Sequence, residues 1–338
     1  MKKLVNSREF VLFLILVLVS VAISIKSPSF FSASTLFDII RSSLVYCIMA
    51  FGVLMVLISG NVDISFVAIA AMTSYSTHML LLKLAYTGGI TLYFVIAISM
   101  GLLAGLLMGF IVIQFNLPIF YVSIGYWTLL YGFNLFFIGA TMNFDLPEGM
   151  VGYYARFLVK VRNPVVGETG LHISVIYLVV IAVFIWWMLK YTIFGRGLYA
   201  IGGNREVAIR TGYNVKGITY TMLALVGILA AIAGVIQSGY SRFFNPVLFM
   251  GKELDVIAAV VIGGASITGG RGTVLGSVLG VMLIEVLNRG LIFAGIPAEW
   301  QKLVVGLVLI IFISIPAIAE QRAKRSRYVV VPKEDKEE

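Results

Sequence analysis

Apolar residues in this chain fall in ten runs that are separated by short polar breaks. A membrane core about 30 Å thick needs around 20 consecutive apolar residues for each helix that crosses it. The pattern therefore predicts an all-α polytopic membrane protein, in which residues 1–338 form one transmembrane domain of about ten helices. The predicted helices cover residues 9–25, 44–59, 64–82, 90–114, 118–139, 171–190, 215–238, 255–268, 273–293 and 299–317.

The first and eighth runs need separate interpretation. Residues 9–25 follow basic residues, as in a secretory signal, but no small-x-small cleavage site comes after them and nine further runs do, so we expect a retained span. Residues 255–268 are too short to cross as a straight helix and run into the glycines of 269–272. They predict a broken or half-crossing element, whose free backbone groups other helices must bury.

Composition and charge support a membrane location. The chain is 60% hydrophobic and 12% charged, whereas a soluble domain averages about 25% charged residues. Fifteen of the 25 Lys and Arg residues lie in segments that the ten-span topology places on the side of the two termini. Because Lys and Arg concentrate in cytoplasmic loops, we expect cytoplasmic termini, including a tail at 318–338, and we assign the net charge of +9 to the membrane rather than to nucleic acid.

The motifs of several enzyme classes are missing from the sequence. The one Gly-Lys pair, at 251–252, is followed by Glu253 and lacks the upstream glycine of a phosphate loop, so we expect any ATP hydrolysis on a separate chain. His78 and His172 are far apart and have no carboxylate at metal-ligand spacing. We therefore expect no catalytic residue, no metal and no cofactor, and an intramembrane enzyme is the least favoured interpretation.

Polar residues inside the apolar runs are costly in a membrane and mark either a pathway or a buried pair. Glu285 and Arg289 lie four residues apart, so an internal ion pair competes with a pathway role for Glu285. Aromatic rings with an amide suit a sugar-like solute, although Tyr and Trp also pack in apolar bundles. The candidate residues of the translocation path are Asn61, Asp63, Ser65, Tyr126, Asn134, Glu285 and Asn288.

The polar segment 195–214 predicts a short exposed helix. Asn204 is a good N-cap for a helix over 205–211, and Gly212 is suited to end it. A bare loop would not need these signals. A capped two-turn helix on a cytoplasmic surface is a suitable knob for a groove of another protein.

Two further patterns predict packing. Residues 26–43 set apolar side chains against Asp38 and Arg41, as in an interfacial amphipathic helix. Glycines spaced by four residues in 101–109 and 272–280 put small residues on one helix face, where a neighbouring helix can approach closely.

Three segments, in order, resemble the permease subunit of bacterial ATP-binding-cassette importers of the ribose/xylose/autoinducer type. Residues 59–65 are similar to the family's Gly-Gly-x-Asp-x-Ser, residues 200–212 to its cytoplasmic coupling loop, and residues 255–280 to its Asp-x-Ile-Ala-Ala-Val-Val-Ile-Gly-Gly segment with the following Gly-Gly-Arg-Gly. The resemblance extends from about residue 36 to residue 315.

The resemblance implies a permease in the bacterial inner membrane that imports a small solute, such as ribose or a related sugar, by alternating access. The implied partners are ATPase subunits, an extracytoplasmic solute-binding protein, and a second permease subunit in a homodimer or heterodimer. A branched-chain amino-acid or nucleoside permease is the near alternative, and a stand-alone carrier or channel is the distant one.

The resemblance also assigns roles to single residues. Asp63 and Asn288 match polar positions of the family's translocation core, whereas Ser59, Phe66 and Glu285 depart from its pattern. These departures leave the identity of the solute open. The residues implied in coupling to the ATPase are Asn204, Arg205, Glu206, Ala208 and Gly212.

Overall fold

A computed structural model describes residues 8–163 and 167–297, together with positions 300, 302–304, 306–307, 310 and 314. The predicted span 299–317 therefore lies largely, and the tail 318–338 entirely, outside the described residues. The helices are α1 (Arg8–Lys26), α2 (Ala33–Ile58), α3 (Phe66–Lys83), α4 (Ile90–Gln114), α5 (Ile119–Phe133), α6 (Glu148–Val151), α7 (Ser174–Tyr191), α8 (Ile193–Gly203), α9 (Arg205–Arg210), α10 (Val215–Ser241), α11 (Glu253–Ile262) and α12 (Val274–Phe293).

Most of the predicted spans are confirmed as helices. Within the described residues, seven helices are long and apolar enough to cross a membrane, namely α1, α2, α4, α5 with its π-helical extension Asn134–Ile138, α7, α10 and α12. The fold class, an all-α polytopic membrane protein, is confirmed. The described chain departs from purely helical structure at one antiparallel hairpin, which is formed by β1 (Phe157–Asn163) and β2 (Gly167–His172).

The centre of the bundle is formed by α2, α3 and α10. Helix α3 is more polar than the other spans, yet every side chain from Phe66 to His78 is buried. Thr73 and Ser74 each donate a hydrogen bond to a carbonyl one turn earlier at 2.7 Å, whereas the buried hydroxyl of Ser76 has no partner among the described residues. A helix enclosed on all sides carries polar side chains at low cost when their hydrogen bonds are made. At the periphery, only 11% of the α1 span is buried.

The two ends of the bundle are marked by different elements. Helix α2 begins beside the hairpin, where Arg41 donates to the carbonyl of Tyr240 at 3.4 Å. It ends beside the loop before α12, where the carbonyl of Ile58 accepts from the amide of Gly270 at 2.9 Å. We call these two ends the hairpin end and the α9 end, because α9 lies with α8 at the second of them.

The prediction of a separate interfacial helix over residues 26–43 is wrong. A short 3₁₀ turn at Pro28–Phe31 is followed at Ala33 by α2, which continues without interruption to Ile58. The hydroxyl of Ser32 accepts from the amide of Thr35 at 3.2 Å and caps this helix. No Gly or Pro lies between Ala33 and the apolar run, so the amphipathic segment and the span form one helix.

The broken crossing is confirmed, with different bounds. Non-helical residues 243–252 return from the hairpin end into the bundle, and the ten-residue α11 continues toward the α9 end. At 1.5 Å per residue, a helix of this length covers about 15 Å, half of the membrane core. Helix α11 then packs closely on α12, where a Cβ on Gly276 would lie 2.0 Å from the carbonyl oxygen of Gly263.

The glycines of α4 bring two long helices together, as their spacing predicts. A Cβ on Gly105 would lie 2.2 Å from the carbonyl oxygen of Leu223, and one on Gly227 would lie 2.0 Å from that of Gly101. The contact between α4 and α10 is the most extensive between any two elements of the described chain. Backbone approaches of this kind favour helices that move as rigid bodies.

Candidate functional site

Helix α9 has the predicted cap. The side-chain oxygen of Asn204 accepts from the amides of Glu206 and Val207 at 3.0 and 3.1 Å. These are donors at a helix N-terminus that would otherwise have no partner. Gly212, with φ of +86°, ends the turn in a backbone conformation that favours glycine. The helix covers Arg205–Arg210, one residue less than the predicted 205–211.

Helix α9 buries one side chain and exposes both charged and apolar ones. Ala208 is buried and anchors the helix, while Arg205 and Glu206 are exposed. Val207 and Ile209 are also exposed, by 53% and 51%. The sequence pattern did not predict that these two apolar side chains are exposed. Residues two apart lie on nearly opposite sides of a helix, so Val207 and Ile209 do not form one apolar patch.

A cavity of about 460 Å³ opens at the α9 end of the bundle. It brings together two predicted groups that are far apart in sequence, because Asn61 lines it together with Asn204 and Arg205. The amide of Asn61 donates to the carbonyl and hydroxyl oxygens of Ser59 at 3.2 and 3.1 Å. The cavity also borders the first turns of α10 through Lys216.

Asp63 and Ser65 do not line this cavity and are buried. One carboxylate oxygen of Asp63 accepts from the amide of Ser65 at 2.7 Å, at the start of α3. Within the described part of the chain, its second oxygen has no hydrogen-bond partner. The hydroxyl of Ser65 contacts the sulfur of Met108 at 3.2 Å. Asp63 is therefore held within the turn that begins α3, and Ser65 contacts α4.

The polar face of α5 holds the backbone of neighbouring elements. The hydroxyl of Tyr126 donates to the carbonyl of Ala104 at 2.9 Å, and the amide of Asn134 donates to the carbonyl of Pro246 at 2.8 Å. Between them, Trp127 donates to a carboxylate oxygen of Glu253 at 2.8 Å. Sequence analysis missed Glu253, because nothing local indicates that it faces α5.

Glu285 and Asn288 line a narrow cleft of about 10 Å³ between α2, α11 and α12. Lys252 and Asp255 lie in the same cleft and form an ion pair at 3.0 Å. Although both residues are described, Glu285 and Arg289 do not approach within the 4.0 Å of an ion pair. Of the two alternatives that their spacing left open, the internal ion pair is therefore not formed.

A second polar cavity, of about 240 Å³, lies at the hairpin end. Arg41 is central to it, with its guanidinium 4.5 Å from the ring centre of Tyr240 and 4.5 Å from that of Tyr154. The sequence pattern did not predict this cavity, because its residues come from three helices that are distant in sequence. The polar and charged lining consists of Asp38, Arg41, Ser42, Gln237, Tyr240, Ser241 and Arg289.

Comparison with known proteins gives consistent matches over most of the chain. The model of the family described as "Branched-chain amino acid transport system / permease component" matches residues 35–313. The galactose/methyl galactoside import permease protein of Escherichia coli (strain K12) is 30% identical, over 94% of this chain and 96% of the relative. No solved structure gives a significant match.

Two further relatives also carry sugar names. The ribose import permease protein of Escherichia coli (strain K12) is 29% identical, over 89% of this chain and 92% of its own. The fructose import permease protein of Bifidobacterium longum (strain NCC 2705) is 33% identical, over 79% of this chain and 77% of the relative. All of these relatives are named as transport permeases rather than as enzymes.

Proposed function

We propose a function from the premise that this chain belongs to the family of permease components of branched-chain amino acid type transport systems. The chain is the membrane permease subunit of an ATP-binding-cassette importer for a monosaccharide. The relatives named for galactose, ribose and fructose match 94%, 89% and 79% of this chain, and they carry this proposal. The solute passes through the chain without chemical change, and we expect no enzymatic activity on this subunit.

The polar cavity at the hairpin end suits a sugar better than a purely apolar solute. An apolar side chain is usually bound by an apolar pocket, whereas a sugar needs directional donors and acceptors with an aromatic face. Asp38, Gln237 and Ser241 supply such polar groups, and Tyr240 supplies a ring. Asp38 and Arg41 would also suit the ammonium and carboxylate of an amino acid, so the choice of a sugar rests on the relatives named above.

The knob formed by α9 supports coupling to an ATPase subunit. Every residue of α9 except Ala208 is exposed, and its N-cap Asn204 lines the same cavity as Asn61. A movement of α9 would therefore change the shape of the cavity at the α9 end. We propose that closure of the ATPases moves this knob, and that tightly packed helices carry the motion as rigid bodies.

The proposed pathway runs between the two cavities. Glu285 and Asn288 lie in the cleft between them, so a role along the path is retained for both. We propose that Asp63, Ser65, Tyr126 and Asn134, which are buried here, meet the solute only when the bundle opens.

The subunit arrangement follows the same proposal. Residues 1–338 form one transmembrane domain, with the coupling loop 195–214 and the tail 318–338 on the cytoplasmic side of the bacterial inner membrane. The partners are two ATPase subunits, an extracytoplasmic solute-binding protein and a second permease subunit.

Coupling is tested by reconstituting the permease with its ATPase and binding protein. We expect Gly212→Pro to abolish solute-stimulated ATP hydrolysis, because proline cannot adopt the φ of +86° found at this position. Glu206→Ala is expected to have the same effect by removing a charge from the exposed face of α9.

Gly212→Asn is the matched control, since asparagine tolerates the left-handed conformation. It should retain coupled turnover. Normal solute-stimulated hydrolysis in Gly212→Pro would overturn the coupling role of α9. Uptake by the permease alone, without ATPase or binding protein, would instead favour a stand-alone carrier.

A further inference from the structure

We propose that a groove at the α9 end, bounded by α1, α7, α8 and α12, binds the phosphate headgroup of an anionic phospholipid. The groove has a volume of about 580 Å³, and none of its lining residues belongs to the cavities of the proposed solute pathway. The inference depends on the position of the chain in a membrane and not on the identity of its solute.

Two exposed cations face this groove from consecutive helices. Lys190 lies in the last turn of α7 and Arg196 in the first turn of α8. In the described part of the chain, no carboxylate oxygen lies within 4.0 Å of either cation. The acidic side chain of the groove, Glu9, accepts a hydrogen bond from the hydroxyl of Thr273 at 3.1 Å. The groove therefore has an excess of positive charge.

Aromatic rings set the depth of this groove in the membrane. The ammonium of Lys190 lies 5.2 Å from the ring centre of Trp186 and 5.3 Å from that of Tyr191. Both rings are about half exposed, at 46% and 54%. Trp and Tyr are enriched where the acyl chains of the bilayer meet the headgroups. A lysine that lies over such rings is placed at the level of lipid phosphate.

The surroundings of the groove favour a lipid over a soluble anion. Its walls include the buried Leu189 and the exposed Leu275. The outward face of α7 continues away from the groove as exposed Val179, Val180 and Val183. A phosphate held by Lys190 and Arg196 would therefore have its acyl chains along an apolar helix face. Basic pockets between transmembrane helices are known to take anionic lipid headgroups in this way.

The test uses the intact chain, purified in detergent and supplied with defined lipids. We expect native mass spectrometry to detect retained phosphatidylglycerol, and we expect phosphatidylglycerol to raise the thermal midpoint of unfolding. The double variant Lys190→Gln/Arg196→Gln should bind phosphatidylglycerol at least tenfold more weakly. The matched control Arg210→Gln/Lys216→Gln removes the same charge at the same end, away from the groove, and should bind like the unaltered chain.

Several results would overturn the proposal. One is equal loss of lipid in both double variants, which would indicate a general charge effect. Another is an equal response to phosphatidylcholine or phosphatidylethanolamine, because net headgroup charge would then be irrelevant. A shift produced by inorganic phosphate alone would indicate a soluble anion. The lipid comparisons use the unaltered chain, so they decide the matter even if the double variant does not fold.

Discussion

At the scale of single residues, side chains on and just after α5 donate hydrogen bonds to backbone carbonyls of the non-helical segment 243–252. In a helix, the backbone itself would supply these donors. Residues 243–252 cross part of the bundle without helical structure, and a membrane tolerates such backbone only where protein satisfies it. Tyr131 donates to the carbonyl of Leu248 at 2.9 Å, and Asn134 donates to that of Pro246 at 2.8 Å. Trp127 continues the series to Glu253. One helix face thus holds the irregular segment in place.

Replacing Trp127 by Phe tests this role. The change keeps an aromatic ring but removes the donor to Glu253, whose carboxylate oxygen then retains the amide of Gly251 at 3.2 Å. We expect the free energy of unfolding to fall by about 1–3 kcal/mol, because a buried acceptor loses a partner. Thermal or denaturant unfolding in detergent measures the change.

Trp187→Phe is the matched control, since Trp187 is 50% exposed on α7. It should change stability by less than about 0.5 kcal/mol. Equal effects of the two substitutions would contradict the holding role of α5.

At the scale of elements, glycines determine which helices pack most closely. Helix α10 touches α4 through Gly227, Gly101 and Gly105, with almost no side-chain volume between the backbones. In a membrane, apolar side chains gain little by leaving lipid, so close dispersion contacts carry more of the association. The pairing of α4 with α10 should therefore be sensitive to a single methyl group.

We expect Gly227→Ala to destabilise the fold by about 1–3 kcal/mol through overpacking. The added Cβ would lie 2.0 Å from the carbonyl oxygen of Gly101 and 3.1 Å from the amide nitrogen of Gly105. Unfolding in detergent reports the change. Gly125→Ala on α5 is the control, since its Cβ meets nothing within 4 Å. It should be neutral or slightly stabilising, and a loss as large as that of Gly227→Ala would argue against close packing as the cause.

The hairpin element is predicted to be sensitive to acid. Burial, together with the nearby Arg41 and Arg156, lowers the pKa of His172 from 6.5 to about 4. Its Nε2 donates to the carbonyl of Tyr153 at 2.8 Å, and its Nδ1 lies 2.8 Å from the hydroxyl oxygen of Ser174. The neutral ring fits this site, and the imidazolium does not.

Stability should therefore fall as the pH is lowered from about 6.5 toward 4. In this range the unfolded chain binds a proton at His172 and the folded chain does not, so protonation favours unfolding. Thermal unfolding at several pH values measures the effect. His172→Gln does not titrate and should show a flatter pH dependence. Identical pH profiles for the two chains would exclude His172 as the source.

At the scale of the whole molecule, one polar cavity lies at each end of the bundle, and the buried part of α2 separates them. Helix α2 connects both cavities, with Asp38 and Arg41 at one and the residue following its last turn, Ser59, at the other. From Cys47 to Ile58 its side chains are buried, a length of about 18 Å at the rise of an α-helix. The proposed solute path is therefore shut in its middle part, and transport needs relative movement of helices.

Glu285→Gln tests whether the cleft in this middle part belongs to the path. We expect the substitution to change the rate of coupled uptake more than the thermal midpoint, because Glu285 has no ion-pair partner among the described residues. Asp255→Asn offers a contrast, since it breaks the pair with Lys252 at 3.0 Å. That pair is partly exposed, so its loss should cost about 1 kcal/mol or less. Unchanged uptake with lower stability in Glu285→Gln would instead assign Glu285 a structural role.

Local signals in the sequence determined much of this protein. Apolar runs, the cap at Asn204 and the stop at Gly212 depend on neighbours within a few residues, as do the broken character of α11 and the glycine spacing of α4. Helix boundaries and turns follow from such short-range chemistry. These features could therefore be predicted before any tertiary contact was known.

Only the tertiary structure decided which polar groups meet. Trp127 and Glu253 are separated by 126 residues, and the cavity at the hairpin end takes its lining from three distant helices. Glu285 and Arg289 have ion-pair spacing, yet in the folded chain their charged groups do not come within 4.0 Å of each other. Partners of this kind depend on how helices pack, which periodicity along one chain does not encode.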